Sequence, residues 1–258
     1  MDVTTQVISL LVVVITLSMI MVGGVVTRRL RRRGLPLPPL RVIPAYESVP
    51  KIVGYAAEAN QPVHMAFGSA GIGGPSTVLT LASAELFYQI TTQAAIGDTL
   101  PVLTTSDAST LPIAQDTLRR ALKARSRIDR FDYTAARWYP SGARSLTYAA
   151  AISALVPADD ISTSVFAGSH GIELPLMADA NRRHNRSVIA LSDQLEGQAV
   201  AFAYSNEILI GEEVFAAGAY LGRETGQIAQ IITLDSLRAV LVIALIVLLI
   251  SKFTGTGG

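Results

Sequence analysis

Two short glycine loops hold most of the residues that could do chemistry. They are Gly68-Ser-Ala-Gly-Ile-Gly-Gly-Pro75 and Gly168-Ser-His-Gly-Ile-Glu-Leu-Pro175, identical at Gly68/Gly168, Ser69/Ser169, Gly71/Gly171, Ile72/Ile172 and Pro75/Pro175, always 100 residues apart. Each follows a short apolar run and leads into a helical pattern. A loop at a helix start presents unpaired backbone N–H groups and a favourable dipole, so it suits an anion. In each half the next apolar run ends in Ser-Asp, at Ser106-Asp107 and Ser192-Asp193. A ligand seated between the halves could therefore meet Gly68, Ser69, Gly71, Asp107, Gly168, Ser169, His170, Gly171 and Asp193 together. The chemistry implied is recognition of an anionic metabolite or nucleotide. The same residues also serve plain structure, because glycine makes tight turns, serine caps helices and aspartate ends strands.

Specific catalytic grammar is missing. Neither loop is a Gly-x-Gly-x-x-Gly fingerprint, there is no Gly-x-x-x-x-Gly-Lys phosphate loop, and Ser169 lacks the Gly-x-Ser-x-Gly elbow. The three histidines, His64, His170 and His184, have no metal-ligand spacing, and the absence of cysteine excludes thiolate nucleophiles, disulfides and cysteine-ligated zinc. No catalytic residue, metal or cofactor is expected. Six of the 21 basic residues fall between Arg28 and Arg41; with Asp2 set aside, residues 42–258 carry 15 basic and 19 acidic side chains. A mildly acidic domain does not suit a nucleic-acid partner, and none is expected.

The elements that must position the loops follow from hydrophobic period. Val63–Phe67 and Pro101–Thr105 read as strands, with Ser76–Ile96 helical between them and a further helix at about Pro112–Arg125. The order returns as a strand at Ile161–Ala167, a helix at Leu176–His184, a strand at Ser187–Leu191 and a long helix at about Gln198–Leu221. Between the repeats, Ser126–Asp160 holds a helix at Ser145–Leu155. It also holds Arg130-Phe-Asp-Tyr133 and Arg137-Trp-Tyr139, read as a loop with cation–π packing. Glu207, Glu212 and Glu213 are expected on a solvated helix face, and Gly218 with its alanine neighbours on a close-packing one. The predicted fold class is α/β: a Rossmann-like, mainly parallel sheet from a duplicated βαβ unit, flanked by two transmembrane helices.

The flanking spans are expected from two apolar runs. Residues 6–27 lie within the uncharged stretch Val3–Thr27, and 236–253 contain the unbroken aliphatic run Ala239–Ile250. Residues 28–61 form an Arg-rich and Pro-rich connector with a short helix, and 62–232 the α/β domain, with repeats at about 63–125 and 161–222. The arginines after the first span predict a cell-membrane protein with a cytoplasmic domain and both termini extracytoplasmic. The stretch Val42–Asp107, with Ile-Pro-Ala-Tyr-Glu and Phe-Gly-Ser-Ala-Gly-Ile-Gly-Gly, resembles an uncharacterised prokaryotic membrane family of unknown function. That resemblance implies membership and no activity.

Two functional expectations result. The first is a membrane-anchored, non-catalytic module assembling with itself or with other membrane subunits in the lipid bilayer. The alternative is a cytoplasmic-facing sensor or enzyme that uses the paired glycine loops for an anionic ligand.

Overall fold

The computed structural model describes residues 40–222 without a break, and residues 10, 14, 17, 18, 21–25, 29, 32, 33, 226–228, 230–232, 234, 235, 238, 242, 246 and 249. The chain forms two compact units, Val42–Gly222 and the two ends Met1–Arg41 with Arg223–Gly258.

Within Val42–Gly222, strands β1 (Val63–Gly68) and β4 (Thr163–Ser169) are buried at every position, as strands covered on both faces must be. They lie side by side at the centre of a six-stranded sheet ordered β3-β2-β1-β4-β5-β6. The others are β2 (Val102–Thr105), β3 (Ala136–Trp138), β5 (Ser187–Ser192) and β6 (Glu207–Ile208), and every neighbouring pair is parallel. Strand order thus reverses between β1 and β4. Their register repeats the sequence offset: Val63 lies beside Thr163, His64 beside Ser164, Met65 beside Val165 and Ala66 beside Phe166.

Parallel partners share a face, so the sheet sorts its side chains cleanly. Ala66, Phe166, Val188 and Ala190 point to one face and pack with Tyr148, Ala149 and Ile152 of α4 (Leu146–Ala158), Leu174 and Met177 of α5 (Leu174–Arg183) and Ala201 of α6 (Leu195–Tyr204). Phe67 points to the other face and meets Phe87 of α2 (Thr77–Ala94) edge to face, with ring centroids 4.6 Å apart. Helices α3 (Leu111–Ala124) and α1 (Pro44–Glu58) pack beside α2. The domain is closed by Tyr46 of α1, which stacks on Tyr220 of α7 (Ala217–Tyr220) and donates from its hydroxyl to the Glu213 carbonyl at 2.6 Å.

Four helices end alike. Asn60, Ser126, Asp160 and Asn185 take positive φ after α1, α3, α4 and α5. The amide that follows each one reaches back five residues, Gln61 to Ala56, Arg127 to Leu122, Ile161 to Val156 and Arg186 to Asn181. This left-handed cap satisfies carbonyls a helix end leaves bare, and Asn and Asp tolerate the conformation better than most side chains.

Several expectations are corrected. Among the described residues no helix is long and apolar enough to cross a membrane. That overturns the two flanking transmembrane helices, and with them the membrane location and the cytoplasmic placement of the domain. An apolar run is a fact of composition, whereas a span also needs about 20 residues of continuous helix. Most of 6–27 and 236–253, and the proline-rich residues 34–39, lie outside the described residues. The helix expected over Gln198–Leu221 is broken. Ser205 and Asn206 end α6, two residues pair as β6, and a 3-10 turn Gly211–Ala216 precedes the single turn of α7. Glu207 is therefore a strand residue. Glu213 folds back to accept from the Ile210 amide at 2.8 Å instead of lying on a solvated helix face. Arg137 and Trp138 belong to β3, not to a loop, and among the described residues Arg130 and Arg137 make no cation–π contact. Arg130 donates to the Gly97 carbonyl, and Arg137 pairs with Asp159 at 2.7 Å.

Candidate functional site

All four loops that carry the candidate residues leave the carboxyl ends of β1, β2, β4 and β5, at the point where strand order reverses. In an open parallel sheet this is where a ligand crevice forms. Here the chain's own groups fill it. The Ser69 amide and hydroxyl both donate to the Ser169 carbonyl, at 2.9 and 3.0 Å. The Gly68 carbonyl accepts from the Ser106 amide and hydroxyl at 2.8 and 3.1 Å. Close approach is what the glycines permit: a Cβ on Gly68 would sit 2.3 Å from the Ser169 carbonyl oxygen, and one on Gly168 would sit 2.0 Å from that of Phe67.

The loop after β1 satisfies its own amides. The Gly71 amide donates to the Ser76 hydroxyl at 3.1 Å and Ile72 to the Ser109 hydroxyl at 3.0 Å; those of Gly73 and Gly74 go to Thr77. Asp107 holds this arrangement. Its Oδ1 accepts from the Ser109 amide at 2.8 Å and hydroxyl at 2.6 Å, and its Oδ2 lies against Gly71, 2.4 Å from where a Cβ would be. In the loop after β4 the anion is internal. Glu173, 3% exposed, accepts from the Gly171 amide at 2.9 Å.

The structure brings Gly68, Ser69, Gly168, Ser169 and His170 together, and Asp107 with Gly71, but Asp193 stands apart. Its carboxylate is exposed and makes no hydrogen bond or ion pair among the described residues. The place facing Gly171 is taken by Gln194, whose Nε2 also donates to the Ser169 hydroxyl at 2.9 Å. Gln194 and Glu173 were not singled out in the sequence, where the only cue was their position just before a helix.

His170 is fully buried. Its Nε2 lies 3.3 Å from the Ala66 carbonyl, so Nε2 carries the proton, while Nδ1 has no partner and packs against Gly68. Burial pushes its pKa down to about 4. Neither serine has a base in reach: Ser69 donates to a carbonyl, and the His170 ring is turned under the loop. No nucleophile–base pair is assembled at Ser69 or Ser169. Among the described residues no group of three or more His, Asp or Glu could hold a metal ion.

Beneath the loops runs a buried chain of side chains that sequence reading did not find. Asn181 Nδ2 donates to the Met177 carbonyl, which turns its Oδ1 toward Ser164; the Ser164 hydroxyl donates to it at 2.8 Å. With that proton used, His64 Nδ1 must be the donor to Ser164 across 3.2 Å. Burial, chiefly, pushes His64 down to about pKa 3, so the ring is neutral and Nε2 accepts from Thr104 at 2.8 Å. Thr104 in turn accepts from the Tyr148 hydroxyl at 2.9 Å. The five side chains are fully buried, and each link fixes the direction of the next. The chain ties β2, β1, β4 and two helices beneath the crevice floor.

No curated protein and no solved structure matches the chain. One family model matches residues 3–256, nearly the whole length. The chain therefore belongs to the family described as a domain of unknown function, DUF6754, in keeping with the resemblance carried by Val42–Asp107.

Proposed function

We propose that the domain is a non-catalytic α/β assembly module that associates with a second copy of itself. The observation that carries this reading is the self-filled crevice. The position where such a sheet would hold a ligand is occupied by mutual hydrogen bonds of the two loops, and both loops already hold a carboxylate, Asp107 and Glu173. A second feature supplies the contact surface. Helix α6 buries only Gly197 and Ala201, while Leu195 and Phe202, two turns apart on its outer side, are 86% and 75% exposed. Large apolar side chains left open together on one helix face favour an interface.

The test is sedimentation of the full chain across a hundredfold concentration range. The reading expects reversible self-association that Leu195→Glu with Phe202→Glu shifts to monomer without lowering the melting temperature. A wild-type chain that stays monomeric throughout contradicts it. A second reading, a ligand-binding sensor or enzyme, is supported by the location of the loops at the strand-order reversal. The acidic and internally bonded character of those loops weighs against an anion there.

A further inference from the structure

At the opposite, amino end of the sheet, where α5 gives way to β5, lies a pocket of about 430 Å³ lined by Arg182, Asn185, Arg186, Ser187, Tyr204 and Asn206. Its size falls in the range of small-ligand sites. No Asp or Glu lines it. The Arg186 guanidinium is clamped at two ends: Nη1 donates to Gln61 Oε1 at 3.0 Å and Nη2 to Asp160 Oδ1 at 2.6 Å. Its Nε is buried with no acceptor. Arg182 makes no ion pair or hydrogen bond through its side chain among the described residues, whereas its neighbour Arg183 pairs with Asp179 at 2.7 Å. Asn206 Oδ1 accepts from the Val188 amide at 2.8 Å, which fixes the amide group and leaves its NH2 to donate.

A clasp between Arg186, Gln61 and Asp160 would by itself explain Arg186, since these residues precede β5, β1 and β4. It explains neither the unpaired Arg182 nor a lining rich in donors and without a carboxylate. Asp160 offsets one of the two arginine charges and leaves one positive charge uncompensated. Guanidinium groups match the paired oxygens of carboxylates and phosphates, especially when one is already held in orientation.

We propose that this pocket binds the oxyanion group, phosphate ester or carboxylate, of a small metabolite. Arg182 supplies the charge, and Asn206 and Ser187 supply further donors. The site is independent of the assembly reading, because it lies at the other end of the sheet and uses none of the loop residues or the outer face of α6.

Calorimetric titration of the full chain with inorganic phosphate, glycerol phosphate and succinate tests this. Saturable binding of at least one probe is expected, weakened tenfold or more by Arg182→Gln and also weakened by Asn206→Asp, which keeps the acceptor for Val188 but replaces the donor with a charge. Arg119→Gln, an exposed arginine paired with Asp116 on α3, should bind as wild type, and all three variants should melt as wild type. Preference for glycerol phosphate or for succinate identifies which oxyanion the site takes. No saturable binding of any probe, binding unchanged in Arg182→Gln, or equal loss in Arg119→Gln overturns the proposal.

Discussion

The connection from β1 to α2 runs eight residues, from Ser69 to Ser76, and the one from β4 to α5 runs four, from His170 to Glu173. Both follow the same Gly-Ser pair, Gly68-Ser69 and Gly168-Ser169, and share a glycine at 71 and 171. In the first, Gly68 and Gly73 take φ of +61° and +94°; in the second, no glycine has positive φ. The pairing of β1 with β4 slips by one residue past Ala66, so that Gly68 lies beside Ser169 rather than Gly168. Identical turn residues do not take identical dihedrals here. What they share is the absence of a Cβ at a tight approach. The shape of each loop is decided by what stands opposite it: a fixed Asp107 in one half, Gln194 and Glu173 in the other.

Substitution of the glycines sharpens this difference. Gly68→Ala meets both a positive φ and backbone oxygen, and should cost roughly 2–5 kcal/mol of stability. Gly71→Ala pushes against an Asp107 carboxylate held by two bonds to Ser109, with an expected loss of about 1–3 kcal/mol. Gly171→Ala meets only the far ends of Gln194 and Glu173 and should cost less than about 1 kcal/mol. Urea unfolding of the three variants measures the order; a Gly171→Ala loss equal to that of Gly71→Ala would mean the loops are constrained alike.

The histidines break the pseudo-symmetry in a way that pH reads. His64 stands where the second half has Ser164, and His170 where the first has Ala70. Both are held neutral by burial, with pKa near 3 and 4 against an ordinary 6.5. As pH falls below about 6.5 the unfolded chain takes up protons that the folded one refuses. Their stabilising neutrality is thus complete above pH 6.5 and is lost as pH drops toward 4 and then 3. Each histidine contributes a slope of up to about 1.4 kcal/mol per pH unit. Urea midpoints between pH 4 and 8 should fall on the acid side, less steeply in His170→Gln. A midpoint independent of pH over that range contradicts the buried neutral assignment.

Much of the α/β order could be read from the residues. The fully buried strands β1, β2 and β4, and β5 buried beyond Ser187, announce themselves as short apolar runs, and the helices between them by period. The edge strands do not. β3 and β6 have three and two residues, too few for any alternation, and exist because β2 and β5 offer them a ladder. The small, apolar stretch after Gln198 satisfies a helical period, yet the Asn206 amide and carboxamide are drawn to Val188 of β5, and tertiary pairing wins over local preference. At the site, Gly68, Ser69, Gly71 and Ser169 were visible through their repetition. Asp193 was drawn in by the same repetition and proved exposed, because its counterpart in packing is the next residue, Gln194. The buried chain from Asn181 to Tyr148 has no local signature, since its members come from five separate elements.

The crevice is closed by the chain itself, and hydrogen exchange of the loop amides reads that closure. Residues Ser69 and Gly71–Gly74 lie in a loop, yet each amide has a bonded acceptor in Ser169, Ser76, Ser109 or Thr77. Exchange of this segment in the full chain should be slowed well below the rate of an unstructured peptide and should not change when nucleotides or phosphorylated metabolites are added. Exchange at the unprotected rate, slowed only by such a ligand, would mean an open site waiting to be filled, not a crevice closed by Ser69, Ser169 and Asp107.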